Sequence, residues 1–93
     1  MPINPVLNGA QNIATGQVSI ATSATLITGR RSTRRTIGIL NTGSNTIYIG
    51  PQGVTTTTGH SLPSGAFIGL PTVAEIWAIG ASASSVTYTE VYD

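Results

Sequence analysis

The sequence contains no cysteine and no lysine. The first absence removes disulfide staples and zinc–thiolate sites from consideration. The second belongs to a wider poverty of charge. Asp, Glu, Lys and Arg together make up 8% of the 93 residues, against about 25% in an ordinary soluble domain. A net charge of +1 is too small for a global field that would steer anionic ligands. No apolar run approaches the ~20 residues of a membrane-spanning helix, and no segment pairs a basic start with an apolar stretch as a secretory leader does. The sequence therefore predicts synthesis in the cytoplasm without a signal peptide, and no membrane partner. No window holds a 3.6-residue period between helix caps, so helix content is expected to be near nil.

What the chain does have is Thr, Ser, Asn, Gly and β-branched residues, with 40% hydrophobic content. That is too apolar for a disordered, highly charged chain. Its length fits one domain, or one domain and an arm, burying roughly 60% of the unfolded surface. A surface so weakly charged suits a protein packed against identical copies or a partner. A solvated Thr-rich β-surface would look the same.

The clearest folding signal is residues 36–53, TIGILNTGSNTIYIGPQG. Two β-branched runs flank a turn-forming NTGSN segment, the pattern of a hairpin. Ile37 and Ile39 share one face of the first run. Ile47 and Ile49 share one face of the second, with Tyr48 opposite. Before it, residues 1–15 (MPINPVLNGAQNIAT) carry two prolines and no periodicity, which predicts an extended N-terminal arm. Its isolated Ile3, Val6, Leu7 and Ile13 are unusual in a floppy tail, so the arm docks either on a partner or on its own domain. Residues 17–21 (QVSIA) and 24–28 (ATLIT) form a hairpin or one bent strand. Downstream, 66–70 (AFIGL), 75–79 (EIWAI) and 86–92 (VTYTEVY) read as strands, while 55–58 (TTTT) reads as sheet edge or loop and 59–65 (GHSLPSG) as a loop. About seven short antiparallel strands between turn signals predict an all-β sandwich or barrel over residues 16–93.

Chemistry-bearing residues are few. Arg30, Arg31, Arg34 and Arg35 lie within six residues and could pair with carboxylates across a protein interface, sit in solvent, or contact phosphates. No aromatic residue interleaves with them and the rest of the chain is not basic, which argues against nucleic acid. His60 stands alone in a predicted loop. Ser61 and Ser64 are near it, but no nucleophile-elbow pattern is present and no carboxylate adjoins. Glu75 and Glu90 are better read as partners for arginine or solvated strand positions than as a glycosidase pair. Three carboxylates and one histidine do not suggest a transition-metal site. The reading is a non-enzyme with no cofactor. Trp77, Tyr88 and Tyr92 are candidates for subunit packing, ahead of a stacking platform for sugars.

The segments RTIGILN (35–41), GSNTIYIG (43–50), GVT (53–55) and GHSLPSG (59–65) follow a recurring pattern. Over about residues 34–92 the chain resembles small β-rich structural proteins of tailed-bacteriophage virions, especially capsid decoration (cement) proteins and related head-fibre bases. The resemblance implies a compact β-body, commonly a homotrimer, on the outer surface of the capsid, with the major capsid protein as partner. It also implies an N-terminal arm that reaches neighbouring subunits. On that reading Ile3, Val6, Leu7, Ile13 and the four arginines touch the shell, which the protein stabilises by bridging capsomers. The alternative is a fibre or tail β-module that binds host surface glycans.

Overall fold

The computed structural model describes residues 10–93. Eight strands run in chain order: β1 (Asn12–Ile20), β2 (Thr25–Thr28), β3 (Arg34–Asn41), β4 (Ile47–Gly50), β5 (His60–Leu62), β6 (Phe67–Leu70), β7 (Ile76–Gly80) and β8 (Ser84–Tyr92). They form two four-stranded antiparallel sheets, β1-β8-β3-β6 (sheet A) and β2-β7-β4-β5 (sheet B). No helix occurs among the described residues. Eight strands shared in this order between two packed sheets have the connectivity of a jelly roll. The all-β expectation holds, and of its two forms the sandwich is the one adopted.

The core lies between the sheets and is almost entirely β-branched. Ile20, Ile37, Ile39 and Val86 from sheet A meet Ile27, Ile47, Ile49, Ile76 and Ala78 from sheet B, with Leu62 beside them. β-Branched side chains lose little rotamer freedom on a pleated surface, so strand formation and core filling reinforce each other. Each fully buried aliphatic side chain contributes about 1.5–3 kcal/mol.

The expected 36–53 hairpin does not form. β3 pairs with β6 and β8, whereas β4 pairs with β5 and β7, so the two isoleucine runs lie in different sheets. The predicted faces are right: Ile37 and Ile39 look across the core at the sheet that carries Ile47 and Ile49. Both arrangements bury the same four side chains, so periodicity alone cannot separate them. Asn41, fully buried at the end of β3, separates them physically. Its amide NH2 donates to Asn45 O at 2.8 Å and Leu62 O at 2.9 Å, and its Oδ1 accepts from Gly43 N–H and from the Ser84 hydroxyl, both at 3.0 Å. These bonds fold residues 42–46 into a bridge across the ~10 Å that separates packed sheets.

Other differences follow the same logic. β1 and β2 form neither a hairpin nor one strand, because the chain changes sheets between them. The eighth strand is β5, which falls in the segment expected to be a loop. With three residues between Gly59 and Pro63 it is too short to show alternation. The expected boundary of the arm at residue 15 falls inside β1, since Asn12–Thr15 continue an unbroken register against β8 from Asn12↔Tyr92 to Ile20↔Ser84.

Candidate functional site

The four arginines and three acids of the chain gather mostly at one end of the sandwich. β3 begins with Arg34, only 3% exposed, on the inner side of sheet A, where β8 places Glu90, 2% exposed. Arg34 Nε donates to Glu90 Oε2 at 2.7 Å. Its other nitrogens donate to the carbonyls of Gly29 (2.6 Å), Thr72 (3.0 Å) and Ala74 (2.8 Å). One guanidinium thus ties β3 and β8 to the β2–β3 and β6–β7 links, and the Thr28 hydroxyl adds a bond from sheet B to Glu90 at 3.2 Å. No buried polar side-chain atom among the described residues lacks a partner. A buried ion pair is tolerated only when its remaining donors and acceptors are satisfied in this way.

The neighbouring arginines are largely engaged as well. Arg31 lies 3.5 Å from Glu90 and stacks on Tyr92, its guanidinium carbon 3.8 Å from the ring centroid. Arg35 sits at the β3 bulge and donates to Asp93 at 3.0 Å. Arg30 is exposed. The cluster expected to face a partner is therefore mainly an end plug. Arg34 is withdrawn from the surface altogether, because a guanidinium with three carbonyls and a carboxylate around it is held from all sides.

The remaining predicted residues are placed apart. Ile3, Val6 and Leu7 lie outside the described residues. Ile13 is 67% exposed on β1, an edge strand. Tyr88 faces the interior and packs against the core, and Tyr92 shares its face of β8 beneath Arg31. Trp77 points the opposite way from the buried Ile76 and Ala78, onto the outer face of sheet B, where its indole N–H donates to Glu75 at 3.0 Å. His60 is paired with Ile49 and therefore lies on the other face of its sheet from Trp77.

What remains outward is nearly uncharged. On sheet B, Leu26 pairs with Trp77 and Tyr48 with Ile79, giving an apolar and aromatic outer face with the carboxylate of Glu75 beside Trp77. On sheet A, apart from Arg35 at the bulge, the outward positions of the paired strands are Ile, Val, Leu, Phe, Thr, Ser, Gln and Gly. Phe67, also 67% exposed, lays its ring over Gly38, where an added Cβ would come within 2.7 Å of it. A groove of about 420 Å3 near the end of β1 is lined by Gln17, Ser19, Thr42, Ser85 and Thr87, and offers hydrogen bonds without charge. Among the described residues no three His, Asp or Glu side chains cluster as a metal site would require.

Two residues that matter here, Asn41 and Phe67, were missed in the sequence. A strand-poor Asn closing an isoleucine run and a lone Phe opposite in phase to Ile68 and Leu70 were the available signals.

No protein-family model matches the chain, and no curated protein matches it. Among solved structures it is similar to a chain from Bacillus endospore appendages, described as forming a novel family of disulfide-linked pili. The TM-score is 0.46 and the identity 16%, over 99% of this chain and 97% of that one. A likeness of that degree carries no conclusion for this chain, whose sequence has no cysteine for such links.

Proposed function

We propose that this chain is a structural protein of a tailed-bacteriophage virion, a decoration protein that acts as a homotrimer on the outer capsid surface and stabilises the shell by bridging its subunits. The observation that supports this reading is the disposal of charge. Arg31, Arg34, Glu90, Arg35 and Asp93 pair with one another, and both sheets turn outward faces almost free of formal charge. Such faces are suited to packing against copies and a partner, since few ions must be desolvated on contact. Jelly rolls serve in viral capsids and in lectins alike, so the fold does not choose between them. The alternative, a fibre or tail module for host glycans, needs Trp77, Tyr88 or Tyr92 beside His60. Two of those rings face the interior and the third lies across the sheet from His60, so none of them stands beside it.

Shell contacts on this reading come from Ile3, Val6 and Leu7, together with Arg30. Binding only the assembled shell stabilises it by mass action, about 2.7 kcal/mol per site at a hundredfold excess over Kd. The test is co-sedimentation with shells of the major capsid protein, followed by their heat rupture. Bound chain should raise the rupture temperature, and removal of residues 1–9, which spares all of β1, should abolish binding while the sandwich stays folded. Shells that neither bind nor gain stability would refute the proposal.

A further inference from the structure

We infer that copies of this chain join edge to edge through sheet A, β6 of one copy against β1 of the next, so that Phe67 and Ile13 meet on a shared outer face. Unpaired strand edges invite association, and proteins usually blunt them with short strands, proline, bulges or charge. Three of the four edges here are short. β2 has four residues and a register shift, β5 has three and is followed by Pro63, and β6 has four and is closed by Pro71. β1 differs from them. Its nine residues hold no proline, charge or bulge, and one side pairs with β8 while the other is the edge of the sheet.

The occupant is a second copy for two reasons. Ile13 and Phe67 are the most exposed large apolar side chains among the described residues, 67% each, and they occupy opposite edges of one sheet on the same face. Pairing β1 with another β1 would cover the first and leave the second in water. Pairing β6 with β1 covers both. Direction agrees as well. Strands alternate across sheet A, so β6 of a translated neighbour meets β1 antiparallel and continues the sheet. Neither strand carries a charge, so no like-charge repulsion opposes the joint. With Phe67 opposite Thr15 and Gly69 opposite Ile13, outward residues stay outward, and the bare Gly69 lets Ile13 reach the Phe67 ring, whose edge stands 3.8 Å from where a Gly69 Cβ would be. Such a head-to-tail contact closes into a ring or runs on as a filament. Closure at three copies is the form that rests on the proposal above.

The test uses the full chain and two charge variants at exposed sites, Ile13→Asp and Phe67→Asp, each confirmed folded by circular dichroism and thermal melt. Sedimentation velocity at micromolar concentration should show wild type self-associated and each variant monomeric, its association weakened by at least about tenfold. An equimolar mixture of the variants should form a heterodimer, because one intact β1 then meets one intact β6. A monomeric wild type, a Phe67→Asp protein that still associates, or a mixture that stays monomeric each overturns the inference. Edge pairing without shell binding would discard the virion reading alone, and shell binding by a monomer would discard this inference and the trimer while leaving the decoration role.

Discussion

Replacing Arg34 with methionine keeps most of the side chain's length and removes the guanidinium. Glu90, 2% exposed, then keeps only the Thr28 hydroxyl at 3.2 Å and half-buried Arg31 at 3.5 Å, while the carbonyls of Gly29, Thr72 and Ala74 lose their donor. Removing one partner of a buried ion pair costs about 3–5 kcal/mol, because the other charge stays buried without compensation. Arg31 can follow Glu90, which favours the lower end of that range. A domain of this size has roughly 5–15 kcal/mol of total stability, so about a fifth or more is lost. At about 4–8 °C per kcal/mol the melting temperature should fall by at least about 12 °C. Urea denaturation and thermal melts followed by circular dichroism measure both quantities. A control separates charge from packing. Arg34→Met combined with Glu90→Leu leaves no stranded carboxylate and should recover much of the loss. An Arg34→Met protein within about 1 kcal/mol of wild type, or a double variant less stable than the single, would refute the reasoning.

Asn41→Leu should destabilise the sandwich by at least about 2 kcal/mol in the same denaturation assay, since it orphans the Leu62 and Asn45 carbonyls and frees the link that crosses between sheets. Gly43→Ala should cost more than about 1 kcal/mol, because the added Cβ would run into the Ser84 side chain and lie 2.6 Å from Ser85 N. Gly29→Ala, whose Cβ meets nothing within 4 Å, should stay within about 0.5 kcal/mol of wild type.

The sequence made the layers legible but not the pairing. Alternation assigned Ile37, Ile39, Ile47 and Ile49 to the core because a strand's two faces differ by one residue in phase. It was silent on which strand lies beside which, since β3 and β4 bury the same faces whether they share a sheet or oppose each other. Glu90 as a partner for arginine was within reach of pattern reasoning. The burial of Arg34 was not, because four arginines in six residues look equally soluble until one of them finds three carbonyls. Ile13 stands out as an isolated apolar residue in a segment without periodicity, whereas Phe67 reads simply as part of a strand. Their relation across the sheet exists only once β1 and β6 are known to be its two edges.

One consequence of the strand order concerns time rather than space. β8 lies between β1 and β3 in sheet A, and β7 lies between β2 and β4 in sheet B. Of all the pairings, only β4 with β5 joins strands that are consecutive in the chain. During synthesis β1 emerges first and waits for the last strand before its backbone finds a partner. Neither sheet can be completed on a nascent chain that lacks residues 76–92, so folding begins in earnest only after β8 is made, with the slow, non-local kinetics of all-β topologies. Through that interval the nine-residue β1, proline-free and uncharged, is a segment at risk of pairing with the wrong chain.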